Sequence, residues 1–153
     1  MGIPVLVIGE SGSGKTYSVK NLDPEKVGIF LCEKNRLPFR KKFTPFKVRN
    51  YQKEDENKQI RIIRQSVVIQ TMLLHPRFPK KIYVIDDSQY IMANEFFDRA
   101  NEKGYDKYSQ IGTNFFQLLE TIRKLPNDKI VYLMHHIEFD DSGREKQRRS
   151  AKW

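Results

Sequence analysis

The chain carries the octapeptide Gly9-Glu10-Ser11-Gly12-Ser13-Gly14-Lys15-Thr16 directly after an apolar run at residues 3–8. This is the phosphate-loop pattern G-x-x-x-x-G-K-[ST], in which successive backbone N–H groups converge on the phosphates of a nucleotide at the start of a helix. The glycines permit positive φ and keep side chains away from the phosphates. All eight residues are therefore predicted to bind a nucleoside triphosphate, with a Gly/Ser-rich turn before a helix as the alternative.

Two further features complete the predicted cofactor site. Lys15 supplies a point charge to the outer phosphates of ATP, and the hydroxyl of Thr16 is placed to coordinate Mg²⁺. The apolar run 82–85 ends at Asp86, which is the Walker B form of a strand that ends in a magnesium-binding carboxylate. Thr16 and Asp86 are thus the predicted metal residues, and ATP and Mg²⁺ are the predicted cofactors.

Length and composition indicate one domain of ordinary size. The 153 residues, of which 39% are apolar, are enough for a single domain over 1–153 with a real core. No apolar run approaches 18 residues, and the N-terminus has neither a basic region nor a small-residue cleavage site. The single cysteine, Cys32, fits a reducing compartment. We therefore expect a soluble cytoplasmic protein with no membrane partner.

The net charge of +9 is concentrated in two regions, and the larger one suggests a partner. Residues 34–53 contain eight basic side chains, no acidic ones and four interleaved aromatic rings. Proteins bind single-stranded nucleic acid with this combination of basic and aromatic side chains, because the cations contact the phosphate backbone and the rings stack on the bases. A solvated basic loop with its rings turned into the core is the alternative. The candidate contacts are Arg36, Arg40, Lys41, Lys42, Lys47 and Arg49.

The order of apolar patterns predicts an α/β fold. Four continuous apolar runs, at 3–8, 27–32, 82–85 and 130–134, are typical of buried strands. Apolar residues at helical spacing predict helices over 54–74 and 113–125. A parallel sheet covered by helices follows from this alternation.

A polar group follows each of the four predicted strands. The first strand leads into the phosphate loop, and the others lead to Glu33, Asp86-Asp87 and His135-His136. In open α/β sheets ligands bind beyond the carboxyl ends of the strands, so these groups are expected to meet in one crevice. Glu33 and Asp87 compete as the group that orients the attacking water, and His136 is the candidate to sense the γ-phosphate. The alternative for each is a solvated residue at a strand end.

Six motifs together resemble the phage-encoded RecA-like ATPases grouped as Sak-type single-strand annealing proteins. They are GESGSGKT at 9–16, Glu33-Lys34 followed by LPF at 37–39, IDDSQY at 85–90, MANEFF at 92–97, EKGYDKY at 102–108 and MHH at 134–136. The resemblance implies a P-loop NTPase with a three-layer RecA-like (ASCE) core, in which the fourth strand inserts between the first and third. It also places Glu33 at the position of the catalytic glutamate and His136 at that of the sensor glutamine.

The same resemblance implies an AAA-type ATPase for phage DNA recombination in the cytoplasm of a bacterial host. Its expected partners are single-stranded DNA, further copies of the chain and a single-strand binding protein. The family core continues with another strand and DNA-binding loops, so we expect a chain truncated at its C-terminus, with 147–153 as an out-of-frame tail. A small P-loop kinase of a metabolite or nucleoside, and a packaging or remodelling motor, remain alternatives.

Overall fold

Four apolar runs of the sequence form the main strands of a five-stranded parallel sheet. A computed structural model describes residues 1–34, 36–40, 42–139 and 145–146. Lys41 and the expected tail at 147–153 therefore lie outside the described residues. The strands are β1 (Ile3–Gly9), β2 (Val27–Leu31), β3 (Phe46–Lys47), β4 (Tyr51–Glu54), β5 (Ile60–Ile63), β6 (Ile82–Asp86), β7 (Ile130–His136), β8 (Glu138–Phe139) and β9 (Glu145–Lys146). A 3₁₀ helix spans Tyr17–Asn21, and the α-helices are α1 (Gln65–Leu74), α2 (Gln89–Asp98) and α3 (Asp106–Lys124).

The strand order of the main sheet is β1-β7-β6-β2-β3, and every neighbouring pair is parallel. The fourth apolar run, β7, lies between the phosphate-loop strand and the Asp86 strand. The predicted α/β class and this insertion are therefore confirmed. Two small antiparallel pairs, β4 with β5 and β8 with β9, stand apart from the main sheet.

Side chains alternate between the two faces of the sheet and form two cores. On one face Phe30 of β2 packs with Ile69 of α1, Ile91 of α2 and Leu118 of α3, so all three α-helices cover this face. On the other face the core is built around Ile29 of β2, with Val19 of the 3₁₀ helix and with Leu22, Leu37 and Phe43 from the connecting segments. This arrangement is compatible with a three-layer α/β fold whose second outer layer is thin. None of the described helices has the length and apolarity needed to cross a membrane.

The first strand departs from the expectation of full burial. Ile3, Leu6 and Ile8 are each about half exposed. They lie on β1, which is an edge strand with only β7 beside it. A continuous apolar run does not distinguish an edge position from a central one.

The helix predicted over 54–74 is wrong in its first half. Residues 51–63 form the β4–β5 hairpin, and α1 begins only at Gln65. Asp55 closes the hairpin turn, because its Oδ1 accepts hydrogen bonds from the backbone N–H groups of Asn57 and Gln59. Lys58 takes a left-handed conformation in the same turn, with φ of 59°. Local turn chemistry thus overrides the helical spacing of Ile60, Ile63 and Val67.

The segment after the phosphate loop is shorter than a full α-helix. It forms one 3₁₀ helix over Tyr17–Asn21, although the bond from Ser18 N to Gly14 O, at 2.9 Å, has α-helical spacing. Leu22 is already extended, with ψ of 158°. Pro24 disfavours helical backbone at the residue before it, so the helix ends before this point.

Candidate functional site

The carboxyl ends of β1, β2, β6 and β7 meet at one edge of the sheet. Gly9 pairs with His136 at the ends of β1 and β7, and Leu31 pairs with Asp86 at the ends of β2 and β6. A cavity of about 190 Å³ opens beside these ends. Its lining includes a residue that follows or ends each of the four strands, as the sequence predicted. The lining residues are Ser11, Glu33, Lys34, Asp87, Tyr90, His136 and Ile137.

The loop between β1 and the 3₁₀ helix has the backbone conformation that the motif predicts. Gly12 and Gly14 have φ of 77° and 88°, which residues with a Cβ adopt only at a cost. The Lys15 ammonium lies inside the loop and donates to the carbonyls of Gly9 at 2.6 Å and Glu10 at 2.7 Å. Burial and the nearby Lys34 ammonium lower the pKa of Lys15. The loop is therefore preformed around a central cation.

Thr16 and Asp86 are joined directly, 70 positions apart in the sequence. The Thr16 hydroxyl donates to Asp86 Oδ1 at 2.5 Å, and both residues are buried. Burial raises the pKa of Asp86, and the hydrogen bond from Thr16 lowers it in partial opposition. The hydroxyl oxygen keeps a lone pair for a cation while its proton is held by the carboxylate.

These two residues fit a magnesium ion shared with phosphates. The second carboxylate oxygen, Asp86 Oδ2, is buried and accepts no hydrogen bond from the described part of the chain. Within that part, no group of three or more His, Cys, Asp and Glu side chains has a metal-holding arrangement. Mg²⁺ commonly uses one or two protein oxygens and completes its shell with phosphates and water. A hydroxyl beside one buried carboxylate meets that requirement.

Hydrogen bonds and a side-chain contact join the turn after β6 to the end of β7. Asp87 lies in the left-handed region, with φ of 56°, and its Oδ1 contacts His136 Nε2 at 2.5 Å. Ser88 N donates to Met134 O at 2.9 Å, and His136 N donates to Gln89 Oε1 at 3.2 Å. His136 Nδ1 is buried and finds no hydrogen-bond partner among the residues described. All three predicted catalytic residues thus line one cavity, and two of them, Asp87 and His136, are in direct contact.

A residue that the sequence did not single out lies at the centre of the site. The Lys34 ammonium is 3.7 Å from Asp86 Oδ2 and 3.4 Å from Asp87 Oδ2. The two carboxylates are buried, whereas the Lys34 side chain is 43% exposed. Its position beyond the end of a predicted strand, next to Glu33, was the available signal. In the sequence it counted as one cation of the basic segment and as part of the Glu33-Lys34 motif, with no role of its own.

Glu33 lines the cavity at the end of β2, whereas the Arg49 guanidinium binds backbone carbonyls there. The Glu33 side chain is exposed and lines the cavity. Arg49 donates from Nη1 to the carbonyls of Leu31, Cys32 and Val48, at 2.8–3.0 Å, and from Nη2 to that of Glu33 at 2.6 Å. Arg49 was predicted to contact nucleic acid, and in the structure its guanidinium fixes the backbone at the end of β2. We therefore assign it a structural role.

The other described members of the basic cluster face solvent, but the rings between them mostly do not. Phe46 contacts Phe30 and Phe78, and Phe43 packs with the core on the other face. Phe39 is half-buried and meets Tyr17 edge-on, with ring centroids 5.9 Å apart. Tyr51 is half exposed and lies on the separate β4–β5 hairpin. The alternative of rings turned inward thus holds for Phe43 and Phe46. The exposed cations among the predicted nucleic-acid contacts are Arg36, Arg40, Lys42 and Lys47.

No protein-family model matches the chain, and no curated protein matches it. The geometry of the side chains at the sheet edge is therefore the basis for assigning a function.

Proposed function

We propose that this chain is a RecA-like P-loop ATPase that binds ATP with Mg²⁺, hydrolyses it and acts on single-stranded DNA. The observation that supports the proposal most directly is the hydrogen bond from Thr16 to Asp86. It joins the last residue of a phosphate-loop motif to a strand-end carboxylate, at the edge of the sheet where α/β proteins bind ligands. Neither a Gly/Ser-rich turn nor a solvated aspartate would require that contact.

Different residues bind the phosphates and the cation of the nucleotide. The phosphate loop over 9–16 holds the phosphates through its backbone, and Lys15 neutralises their outer charge. Thr16 and Asp86 hold the cation. Mg²⁺ held there would supply positive charge to offset the negative charge of the outer phosphates.

Glu33 is the favoured group for orienting the attacking water. Both oxygens of Asp87 lie against other side chains, since Oδ1 is 2.5 Å from His136 Nε2 and Oδ2 is 3.4 Å from the Lys34 ammonium. Glu33 lines the same cavity with an exposed carboxylate. A carboxylate in that position accepts a proton from water and aligns it for in-line attack. His136, held by Asp87, is placed to detect the outer phosphate.

The DNA part of the proposal rests on charge. Arg36, Arg40, Lys42 and Lys47 are exposed on the segment that leaves the nucleotide cavity at Lys34. A row of exposed cations beginning at the cavity would let a bound strand affect the nucleotide site. Further copies of the chain along the strand belong to the same proposal.

The test is a steady-state phosphate-release assay on the full chain, with and without a single-stranded oligonucleotide. We expect Mg²⁺-dependent ATP hydrolysis that the oligonucleotide accelerates. Lys15→Ala should weaken ATP binding by about 10- to 100-fold, because a contact to a charged group contributes about 1.5–3 kcal/mol. Lys103→Ala, at an exposed lysine of the α2–α3 connection, is the matched control.

Two results would overturn the assignment. Equal ATP affinity of the Lys15→Ala variant and the unmodified chain in calorimetry would remove the phosphate-loop assignment. Acceleration by a nucleoside or small metabolite, with transfer of phosphate to it and no response to DNA, would instead indicate a small kinase.

A further inference from the structure

Two buried carboxylates lie side by side at the end of β6 and require positive charge nearby. The side chains of Asp86 and Asp87 are 2% and 4% exposed. Two ionised carboxylates in such surroundings repel each other and lose hydration, so an isolated pair is unfavourable. Thr16 offers only a neutral hydroxyl. The Lys15 ammonium is directed to the carbonyls of Gly9 and Glu10.

Lys34 supplies the missing charge. Its ammonium faces one oxygen of each carboxylate, at 3.7 Å and 3.4 Å, and no other lysine or arginine in the described ranges forms an ion pair with either one. One of the two, Asp86 Oδ2, is the same buried oxygen that accepts no hydrogen bond. The ammonium therefore lies beside the atom that suits a divalent cation.

The attachment of Lys34 allows its ammonium to leave without moving the backbone. Arg49 holds the carbonyl of Glu33 at 2.6 Å, and its Nη2 lies 3.5 Å from that of Lys34. The backbone is thus held, whereas the Lys34 side chain is 43% exposed and has four rotatable bonds. A change of rotamer carries the ammonium into solvent.

We propose that Lys34 is a built-in counter-ion, which a divalent cation displaces when it binds Asp86. This inference rests on the proposed ATP and Mg²⁺ site and adds an exchange step to it. Mg²⁺ at Asp86 with the ammonium still in place would bring three positive charges within a few ångströms, and their repulsion opposes joint occupancy. Lys34 therefore offsets the charge of the two carboxylates when no metal is bound, and lowers the affinity of the site for metal alone.

The first experiment tests the ion pairs without any metal. Urea unfolding of the full chain in EDTA is compared for the unmodified protein, Lys34→Met, Asp87→Asn and the double variant, with Lys103→Met as the control. We expect Lys34→Met to lower the urea midpoint, and to lower it by less than half as much when Asp87→Asn is also present. Equal shifts in both backgrounds would overturn the counter-ion role.

The second experiment tests the exchange, with Mg²⁺ alone as the probe in calorimetry. We expect Lys34→Met to bind Mg²⁺ about tenfold more tightly than the unmodified chain, because a half-exposed ion pair contributes up to about a factor of five and Lys34 makes two. Mg²⁺ should also restore the urea midpoint of Lys34→Met. Equal or weaker Mg²⁺ binding by Lys34→Met, or no Mg²⁺ binding by either protein, would overturn the exchange.

Failure of the cation exchange can be distinguished from failure of the proposed ATPase function. ATP affinity of the unmodified chain, and its loss in Lys15→Ala, decide whether the chain is a P-loop ATPase. A chain that binds ATP through Lys15 but shows equal Mg²⁺ affinity with and without Lys34 would retain the proposed function and refute the exchange alone.

Discussion

Replacing Thr16 by valine should reveal how much the hydrogen bond from Thr16 to Asp86 of β6 contributes to the free energy of unfolding. Valine keeps the shape of threonine and removes the hydroxyl that donates to Asp86 at 2.5 Å. Both groups are buried, so no water takes over the bond. A hydrogen bond to a charged group contributes about 1.5–3 kcal/mol, and we expect Thr16→Val to lose about 2 kcal/mol of unfolding free energy. In urea this is a midpoint shift of about 1 M.

The pH dependence of this loss identifies its cause. The hydrogen bond lowers the pKa of Asp86 against the effect of burial, so its removal raises that pKa further. The loss of stability should be full at pH values above the folded-state pKa of Asp86 in the variant. The loss of stability should become smaller as the pH falls through the pKa of Asp86 in the folded variant and then in the folded unmodified protein, towards the ordinary value of 3.8. The reason is that a neutral carboxyl group gains less from a hydrogen-bond donor than a carboxylate does.

The assay is urea unfolding at neutral and acidic pH, together with calorimetry of ATP binding with and without Mg²⁺. Thr71→Val is the matched control, since the exposed Thr71 hydroxyl donates to Val67 O within α1. We expect it to change stability by no more than about 0.5 kcal/mol. Only Thr16→Val should weaken Mg²⁺-dependent ATP binding, by about tenfold or more. Equal shifts for both variants, or a loss that does not change with pH, would refute the role assigned to the Thr16–Asp86 bond.

Three further variants test the chemistry and the DNA surface. Glu33→Gln should retain ATP binding and slow hydrolysis by about 100-fold or more in single-turnover assays, whereas Asp87→Asn should have the smaller effect; the opposite ranking would move the water-orienting role to Asp87. Replacing Arg36, Arg40 and Lys42 together by alanine should weaken binding of a labelled single-stranded oligonucleotide and flatten the plot of log affinity against log salt by about one to two units, at about 0.7 per phosphate contact. An unchanged slope in fluorescence anisotropy would exclude this segment as the DNA surface.

The sequence predicted the strands and the edge at which the site lies, for a clear physical reason. Buried parallel strands need continuous apolar runs, and polar residues at their carboxyl ends mark where each run leaves the core. Glu33, Asp87 and His136 were located in this way. Their pairing was not, because linear spacing carries no information about which strand ends are neighbours. The position of β7 came only from the resemblance to RecA-like ATPases.

The failures of prediction have equally specific causes. The spacing of Ile60, Ile63 and Val67 fits a helix as well as it fits a hairpin followed by a helix, and the turn formed around Asp55 decides between them. Arg49 was assigned to DNA because composition cannot show that a guanidinium is occupied by backbone carbonyls. These errors share an origin, since each depends on a hydrogen bond that involves the backbone of another position.

The strained backbone at Asp87 supports the assignment of this edge independently of any motif. A left-handed conformation costs a residue with a Cβ about 1–2 kcal/mol, and such strain is usually found where function requires it. Here φ of 56° accompanies the contact of Asp87 with His136. The bonds from Ser88 N to Met134 O and from His136 N to Gln89 Oε1 hold the turn in that conformation. Because these contacts hold both the side chain and the backbone of His136, the end of β7 and the turn after β6 form one unit.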